Sequence, residues 1–148
     1  MTDAILFSAK PSIVNVDDAW RHLEDHKELY WSVGFPIAKD KFSFPIFGFI
    51  HISGGQVEYR VLVDDIVPFS ANHYEDPSLK PAPWREEWKN DPNQRARKNS
   101  FVMTEIVRFP FDTYRFEKYG GGLINRPPQT YARVIPPKQP PQSAPWVA

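Results

Sequence analysis

Three tryptophans of the chain lie at positions that are not part of any hydrophobic pattern typical of a buried helix or strand. Trp31 lies between a helix pattern and a hairpin pattern, and Trp84 and Trp88 lie in a long polar segment. An exposed tryptophan gives up a large burial energy, whereas its flat face stacks well on a planar ring such as a nucleobase. The three residues therefore indicate a site for a flat ligand, with burial in the core as the competing interpretation.

Polar side chains near such aromatic walls would identify the ligand. Ser32, directly after Trp31, and Asn125 are candidates because each side chain can both donate and accept a hydrogen bond. The predicted site is an aromatic cage, in which either loop tryptophan could complete the second wall. Its candidate residues are Tyr30, Trp31, Ser32, Trp84, Trp88 and Asn125.

The formal net charge of the chain is zero, which alone argues against a nucleic-acid-binding protein. The charges are segregated, however: residues 95–138 hold nine basic and three acidic side chains. Such a segment attracts phosphates if the fold gathers it on one face, although strand alternation can instead divide it between two faces. The residues predicted to bind phosphate are Lys98, Arg115, Lys118 and Arg126. Gly120 to Gly122 would allow close backbone approach or simply form a turn.

Catalysis finds little support in the sequence. The chain has no cysteine, so disulfides and thiolate metal sites are excluded, and a reducing cytoplasm is the expected compartment. The spacing of the four histidines matches no metal motif, and the pair His22 and His26 indicates two surface residues. No cofactor is predicted. His51 with Glu58, across a hairpin, leaves a nuclease as an alternative.

The elements that must position these residues are one helix and at least five strands, which predicts an α+β fold with a curved sheet or small barrel. Val16 to Asp25 has helical spacing, with Asn15 as the N-cap and Trp20 in the core. The predicted hairpin joins a strand starting at Ile46 to one starting at Val57, around Gly54-Gly55. The other predicted features are a strand at 5–7, a mostly loop segment at 72–99 with a helical turn at 84–89, and strands at 101–109 and 131–135.

The order of these motifs resembles the PUA-like superfamily, and specifically its YTH and EVE branches, over roughly residues 5–135. Tyr30-Trp31-Ser32 is similar to the segment that gives one cage wall, and 47–53 with 57–63 to the hairpin that follows. Trp84 or Trp88 would be the second wall, and Arg108-Phe109-Pro110-Phe111 resembles the turn after the next strand. Tyr59 departs from the pattern, since it stands where the family has small residues.

The resemblance implies a module, residues 1–135, that flips a modified base out of DNA into an aromatic cage. Similar modules precede the motor domain of McrB-type modification-dependent restriction proteins. The Pro-rich segment 136–148, of which 136–145 is expected to form no ladder or helix, would be the linker to such a domain or a tail. The expected partner is double-stranded DNA with a methylated base. A protein-interaction module, or a small PUA-like RNA-binding protein or nuclease, remains an alternative.

Overall fold

The fold is α+β, as the motif order predicts. The computed structural model describes residues 3–8, 16–53, 56–90, 97–137 and 144–145. The helices are α1 (Val16–Asp25), α2 (Asn72–Glu75) and α3 (Ala82–Lys89), with short 3-10 helices at Lys39–Lys41 and Thr113–Arg115. The strands are β1 (Ala4–Ser8), β2 (Leu29–Val33), β3 (Ile46–Ser53), β4 (Gln56–Pro68), β5 (Asn99–Asp112), β6 (Glu117–Lys118), β7 (Tyr131–Ile135) and β8 (Ala144–Pro145).

One mixed sheet contains all the described strands. Its order is β2-β5-β4-β3-β1-β7-β6, with β8 paired to β5. β1 and β3 run parallel, and the other pairs are antiparallel. The predicted hairpin is confirmed as β3 and β4, in which Ile46 pairs with Val63. Its expected Gly54-Gly55 turn lies outside the described residues, as does the expected Asn15 cap of α1.

The sheet is strongly curved. Phe7 in β1 and Trp31 in β2 are four strand positions apart, which would separate them by about 19 Å in a flat sheet. Their ring centroids are nevertheless 5.9 Å apart. Phe7 also contacts Phe101 of β5, at 5.0 Å between centroids. The edge carrying β2 therefore curls over until its inward side chains meet those of β1.

Two hydrophobic clusters stabilise the curved sheet. The larger one lies on its inner face and includes Trp31, Phe101 and the α1 residues Val16 and Ala19. The smaller one surrounds Phe116 and packs under β6 and β7. None of the helices in the described part of the chain has the length and apolar character needed to cross a bilayer.

The predicted burial of Trp20 is wrong. The buried positions of α1 are Val16, Ala19 and His22, which lie three residues apart on one helix face. Trp20 follows Ala19 by one residue and is therefore turned about 100° away from that face, where it stays partly exposed. The third buried position of this face is His22, and hydrophobic spacing alone does not predict a buried histidine.

Two segments contain more structure than the sequence predicts. The expected loop at 72–99 holds both α2 and α3, and the helical turn expected at 84–89 is the greater part of α3. In the Pro-rich segment, the expectation that no ladder forms is wrong at Ala144–Pro145. These two residues pair with Val107 and Arg108, because the outer edge of β5 still offers free backbone groups there.

Candidate functional site

Trp31 is part of the core rather than exposed at the mouth of a barrel, so its predicted exposure is wrong. Strand alternation turns Leu29, Trp31 and Val33 to the inner face of β2, where all three are buried. The indole of Trp31 is 4% exposed and contacts the ring of Phe7 edge to face. Trp31 is buried because the curvature of the sheet brings β1 over this position of β2.

Trp84 is the loop tryptophan that meets Trp31. α3 begins directly after Pro81 and presents Trp84 inward, where the side chain is 8% exposed. The two indole centroids are 5.4 Å apart at an angle of 87°. A base stacked between two parallel rings requires about 7 Å, twice an ordinary van der Waals contact. The two residues predicted as cage walls are therefore in contact, and no base-sized gap lies between their rings.

Trp88 belongs to a different aromatic group. Its indole stacks on Tyr74 of α2 with 4.8 Å between centroids and 5° between planes. Phe69 contacts both of these rings. Trp88 thus fixes α3 against α2. The structure brings Trp84, and not Trp88, to the first predicted wall.

The indole N–H of Trp84 is buried and has no acceptor among the described residues. Leaving such a donor unpaired costs about 1–3 kcal/mol relative to its state in water. Most buried polar groups in proteins have a partner, and an exception often indicates a bound water or a ligand. The Nε1 atom of Trp84 is therefore a polar feature of this region that the fold itself does not explain.

A buried lysine accompanies Trp84. Lys80 is 1% exposed, and its Nζ lies 3.8 Å from the ring centroid of Tyr74 and 5.7 Å from that of Trp84. Burial, and secondarily the positive charge of Arg97, hold the pKa of Lys80 well below its ordinary value. The aromatic surroundings of Trp84 thus contain the buried amine of Lys80.

A cavity of about 310 Å³ lies between α1 and the segment that leads into α3. Arg21 in α1 and His26 just after it line one side, and Lys80, Pro81 and Arg85 line the other side. Its volume is at the lower end of the range of small-molecule pockets, about 300–1,000 Å³. Sequence reasoning missed this cavity, because it is formed by two segments about sixty residues apart in the chain.

His22 connects the two walls of this cavity. Its Nε2 lies 3.1 Å from the carbonyl oxygen of Glu28 and 2.9 Å from that of Ser78. Carbonyl oxygens only accept, so Nε2 carries the proton and donates. Burial lowers the pKa of His22, which favours the neutral ring, and this ring stacks on His26 with 4.5 Å between centroids. The prediction that both histidines are surface residues is therefore wrong for His22.

Tyr30 and Ser32 do not share a pocket with Trp31, because alternate residues of a strand point to opposite faces. The Oγ atoms of Ser32 and Ser100 are 2.8 Å apart, and Ser100 Oγ lies 2.9 Å from Nδ1 of His73. The ring of Tyr30 packs edge to face on His73 at 4.8 Å. These residues hold α2 on the outer face of the sheet, so the structure contradicts their placement in one cage with Trp31.

The predicted phosphate-binding residues are exposed but do not form a single patch. Arg115, Lys118 and Arg126 lie near the short strand β6, where the amide of Ile124 bonds to the carbonyl of Phe116. Lys98 lies at the other end of β5, a strand of 14 residues that spans roughly 45 Å when straight. Asn125 is exposed beside Ile124, and no described contact links Asn125 to either Trp31 or Trp84.

The glycines of the β6 corner form a turn. Gly121 and Gly122 have φ angles of 103° and 81°, which residues with a side chain rarely adopt. The amide of Lys118 donates to the carbonyl of Gly122, and the amide of Gly121 donates to the carbonyl of Lys118. The competing sequence interpretation, a turn, therefore explains these residues without a ligand.

The pair considered for a nuclease is not assembled. His51 is buried, and its Nδ1 lies 2.9 Å from Oγ1 of Thr113. Burial lowers the pKa of His51, and no described hydrogen bond joins it to Glu58. Within the part of the chain that the structure describes, no three histidine, aspartate or glutamate side chains are grouped so that they could hold a metal ion.

Comparison of the chain with protein-family models, with curated proteins and with solved structures finds no match. The candidate site therefore rests on its own geometry. It consists of Trp31, Trp84 and Lys80, together with the adjoining cavity between α1 and α3, and it is called the Trp84 site below.

Proposed function

We propose that the protein is a PUA-like module of the EVE or YTH type that binds DNA carrying a methylated base and holds the flipped base at the Trp84 site. The observation that carries this proposal is the contact between Trp31 and Trp84. β2 and α3 are distant in the sequence, yet they bring together two tryptophans that a base reader of this kind needs as its walls.

The arrangement of elements supports the same proposal. α1 connects β1 to β2, a parallel pair joins β1 to β3, and the β3–β4 hairpin is followed by an aromatic segment that returns to β2. In that segment, the carbonyl of Leu79 accepts a hydrogen bond from the amide of Tyr30, directly beside Trp31. The aromatic segment between β4 and β5 is thus fixed along the β2 edge, which is where the resemblance implies the second cage wall.

A base enters this site when the indole of Trp84 moves away from that of Trp31. The cavity between α1 and α3 is lined by Lys80, Pro81 and Ala82, which precede Trp84 in the chain, and it would receive the base when the indole moves. The buried Nε1 of Trp84, which has no acceptor among the described residues, would donate to a ring nitrogen or carbonyl oxygen of the base. Binding would therefore satisfy a donor that folding leaves unpaired.

The free energy that base flipping costs and the free energy that stacking returns are of comparable size. Flipping a base out of the duplex costs a few kcal/mol, and stacking on an aromatic side chain returns about 1–3 kcal/mol per base. A methyl group adds apolar area, whose burial contributes about 0.8 kcal/mol for one carbon. Methylation is thus expected to determine whether flipping is favourable in an aromatic pocket.

Phosphates would be held at the mouth of the cavity. Arg21 and Arg85 are its cationic residues on either side, and Asp18 and Asp25 on α1 limit the net positive charge there. Phosphate contacts position a duplex without reading its sequence. We therefore expect binding that is specific for the modified base and only moderately sensitive to salt, since few phosphates are neutralised.

The proposal is tested with short labelled duplexes that differ in one base: unmodified, 5-methylcytosine or N6-methyladenine. Fluorescence anisotropy at fixed salt gives the dissociation constant of each duplex. We expect one methylated duplex to bind about fourfold more tightly than the unmodified one, equivalent to about 0.8 kcal/mol for the burial of one methyl group. Equal affinities for all duplexes, or no binding, would reject the proposal.

A further inference from the structure

Lys80 is the only buried lysine among the described residues, and its environment is unusual for a cation. The ammonium position is surrounded by the rings of Tyr74 and Trp84, and no described carboxylate pairs with it. A buried charge ordinarily has an ionic partner or coordinates a metal. Lys80 has instead an aromatic contact, which compensates for only part of the lost hydration.

These surroundings favour the neutral amine. Removal of water disfavours the charged form of a lysine, and the nearby positive charge of Arg97 acts in the same direction. An exposed lysine near pH 7 is a free amine in only about one molecule in 2,500. A neutral amine is a nucleophile, and lysines activated by desolvation form Schiff bases with carbonyl compounds.

The position of Lys80 connects this chemistry to the ligand site. Lys80 lines the cavity between α1 and α3, and four residues further along the chain Trp84 contacts Trp31. We propose that Lys80 forms a reversible imine with a formyl group carried by the base that enters the Trp84 site. The inference rests on the proposed function, and it names a second class of modified base, oxidised from methyl to formyl, as a ligand.

The step is a condensation that needs no oxidant or reductant. The lone pair of Nζ attacks the aldehyde carbon, the C=O π electrons move to oxygen, and a proton passes from nitrogen to that oxygen. The resulting carbinolamine loses water and leaves a C=N bond between Lys80 and the base. Addition of water reverses both steps. The nearly complete burial of Lys80 limits this hydrolysis and so extends the lifetime of the imine.

The test uses the whole chain and a duplex containing one 5-formylcytosine, incubated at pH 7 with sodium cyanoborohydride, which reduces an imine to a stable amine. Peptide mass spectrometry then locates the adduct. We expect Lys80 to carry it and to exceed Lys89 in yield by at least about tenfold, because Lys80 lines the cavity whereas Lys89 is an exposed residue of α3 outside it. The 5-methylcytosine duplex has no aldehyde and should give no adduct.

Two variants provide the matched controls. Lys80→Arg keeps a basic side chain but cannot form an imine, so the adduct should disappear. Lys89→Arg on the exposed side of α3 should leave the adduct unchanged. If Lys80→Arg does not fold, the adduct position in the unaltered protein decides the question by itself.

The outcomes separate the two proposals. If the formyl duplex binds and no adduct forms at Lys80, the imine is rejected and base binding stands. An adduct distributed over exposed lysines rejects it as well. If no duplex binds, the proposed function and the formylated ligand are both rejected. An adduct at Lys80 that depends on the formyl group supports both.

Discussion

Two cations of this protein show how differently the two ends of the sheet are built. Lys80, at the β2 end, is buried beside Tyr74 and Trp84 with no described carboxylate partner. Arg133, in β7 at the other end, has its Nε 2.6 Å from the buried carboxylate of Asp3. Its guanidinium also lies 3.7 Å from the ring centroid of Tyr119.

The two ends of the sheet differ in whether their buried polar groups have hydrogen-bond or ionic partners within the protein. At the β7 end the buried carboxylate of Asp3 is paired with Arg133, and Phe116 and Ile124 belong to an apolar cluster. At the β2 end the Nε1 of Trp84 has no acceptor among the described residues, the amine of Lys80 has no described carboxylate partner, and Lys80 lines a cavity. Groups left unsatisfied by folding are available to a ligand, which is why we propose the ligand site at the β2 end.

The largest expected effect is on the stability of the protein and concerns Trp31, which the sequence predicts as a cage wall and which lies in the core. Trp31→Ala should lower the free energy of unfolding by about 3–5 kcal/mol, since it removes a buried indole from contact with Phe7 and Trp84. Trp20→Ala, at a partly exposed position of α1, should cost much less, about 1 kcal/mol. Urea denaturation followed by circular dichroism measures both values, and the reverse ranking would contradict the packing described for β2.

The two cations should respond oppositely to the same substitution. Arg133→Met leaves Asp3 buried and unpaired and should cost about 2 kcal/mol, less than for a fully buried pair because Arg133 is partly exposed. Lys80→Met replaces a buried amine, which has no described carboxylate partner, by an apolar chain of similar length. It should be neutral or stabilising by up to about 2 kcal/mol.

Thermal and urea unfolding of both methionine variants test this contrast. A large loss of stability in Lys80→Met would show that the aromatic contacts of Lys80 are as effective as an ion pair. The Trp84 site would then be a structural element, and the contrast between the two ends would disappear.

The fold was predictable where local pattern and tertiary structure agree. The alternation in 57–63 and the β-branched run from Ile46 identify the β3–β4 hairpin, and helical spacing places α1 within its observed bounds. Curvature was not predictable at the residue level. It depends on contacts between β1 and β2 that no local pattern encodes, and for this reason the burial of Trp31 differs from the expectation.

The candidate site was predictable in part. The sequence identifies Trp31 and Trp84 as partners, although it cannot separate Trp84 from Trp88. The opposite orientation of Ser32 follows from strand alternation alone, so that signal was present in the sequence. Lys80 has no local signal, because a lysine is buried only when distant segments enclose it.

Acid should destabilise the fold through its buried histidines. Burial lowers the pKa of His22, His51 and His73 below 6.5, whereas in the unfolded chain they titrate near 6.5. Below this pH the unfolded state binds more protons, so the free energy of unfolding should fall between about pH 6.5 and pH 5 and be independent of these groups above about pH 7.5.

Urea midpoints across this pH range measure the effect, and His22→Gln provides the matched variant. Glutamine keeps a donor for the carbonyls of Glu28 and Ser78 but does not titrate, so the pH dependence should become shallower. Stability that stays constant or rises between pH 6.5 and pH 5 would contradict the burial of these rings.

The smallest expected effects are on the salt dependence of DNA binding. Charge reversal of Arg85, at the mouth of the cavity, should reduce the slope of log K against log salt by about one unit per lost phosphate contact. Arg115→Glu, near β6, tests the basic corner that the sequence predicts. An unchanged slope for Arg85→Glu combined with a changed slope for Arg115→Glu would indicate that DNA binds at the β7 end instead.

The central claim is that a base occupies the Trp84 site, and Trp84→Phe compared with Trp88→Phe tests it most directly. Phenylalanine keeps an aromatic ring at position 84 but removes the buried Nε1 donor. The dissociation constant for the preferred methylated duplex should rise by at least about tenfold in Trp84→Phe, equivalent to a lost hydrogen bond, and by less than about threefold in Trp88→Phe. Equal affinities of Trp84→Phe and the unaltered protein, with both folded, would contradict the account.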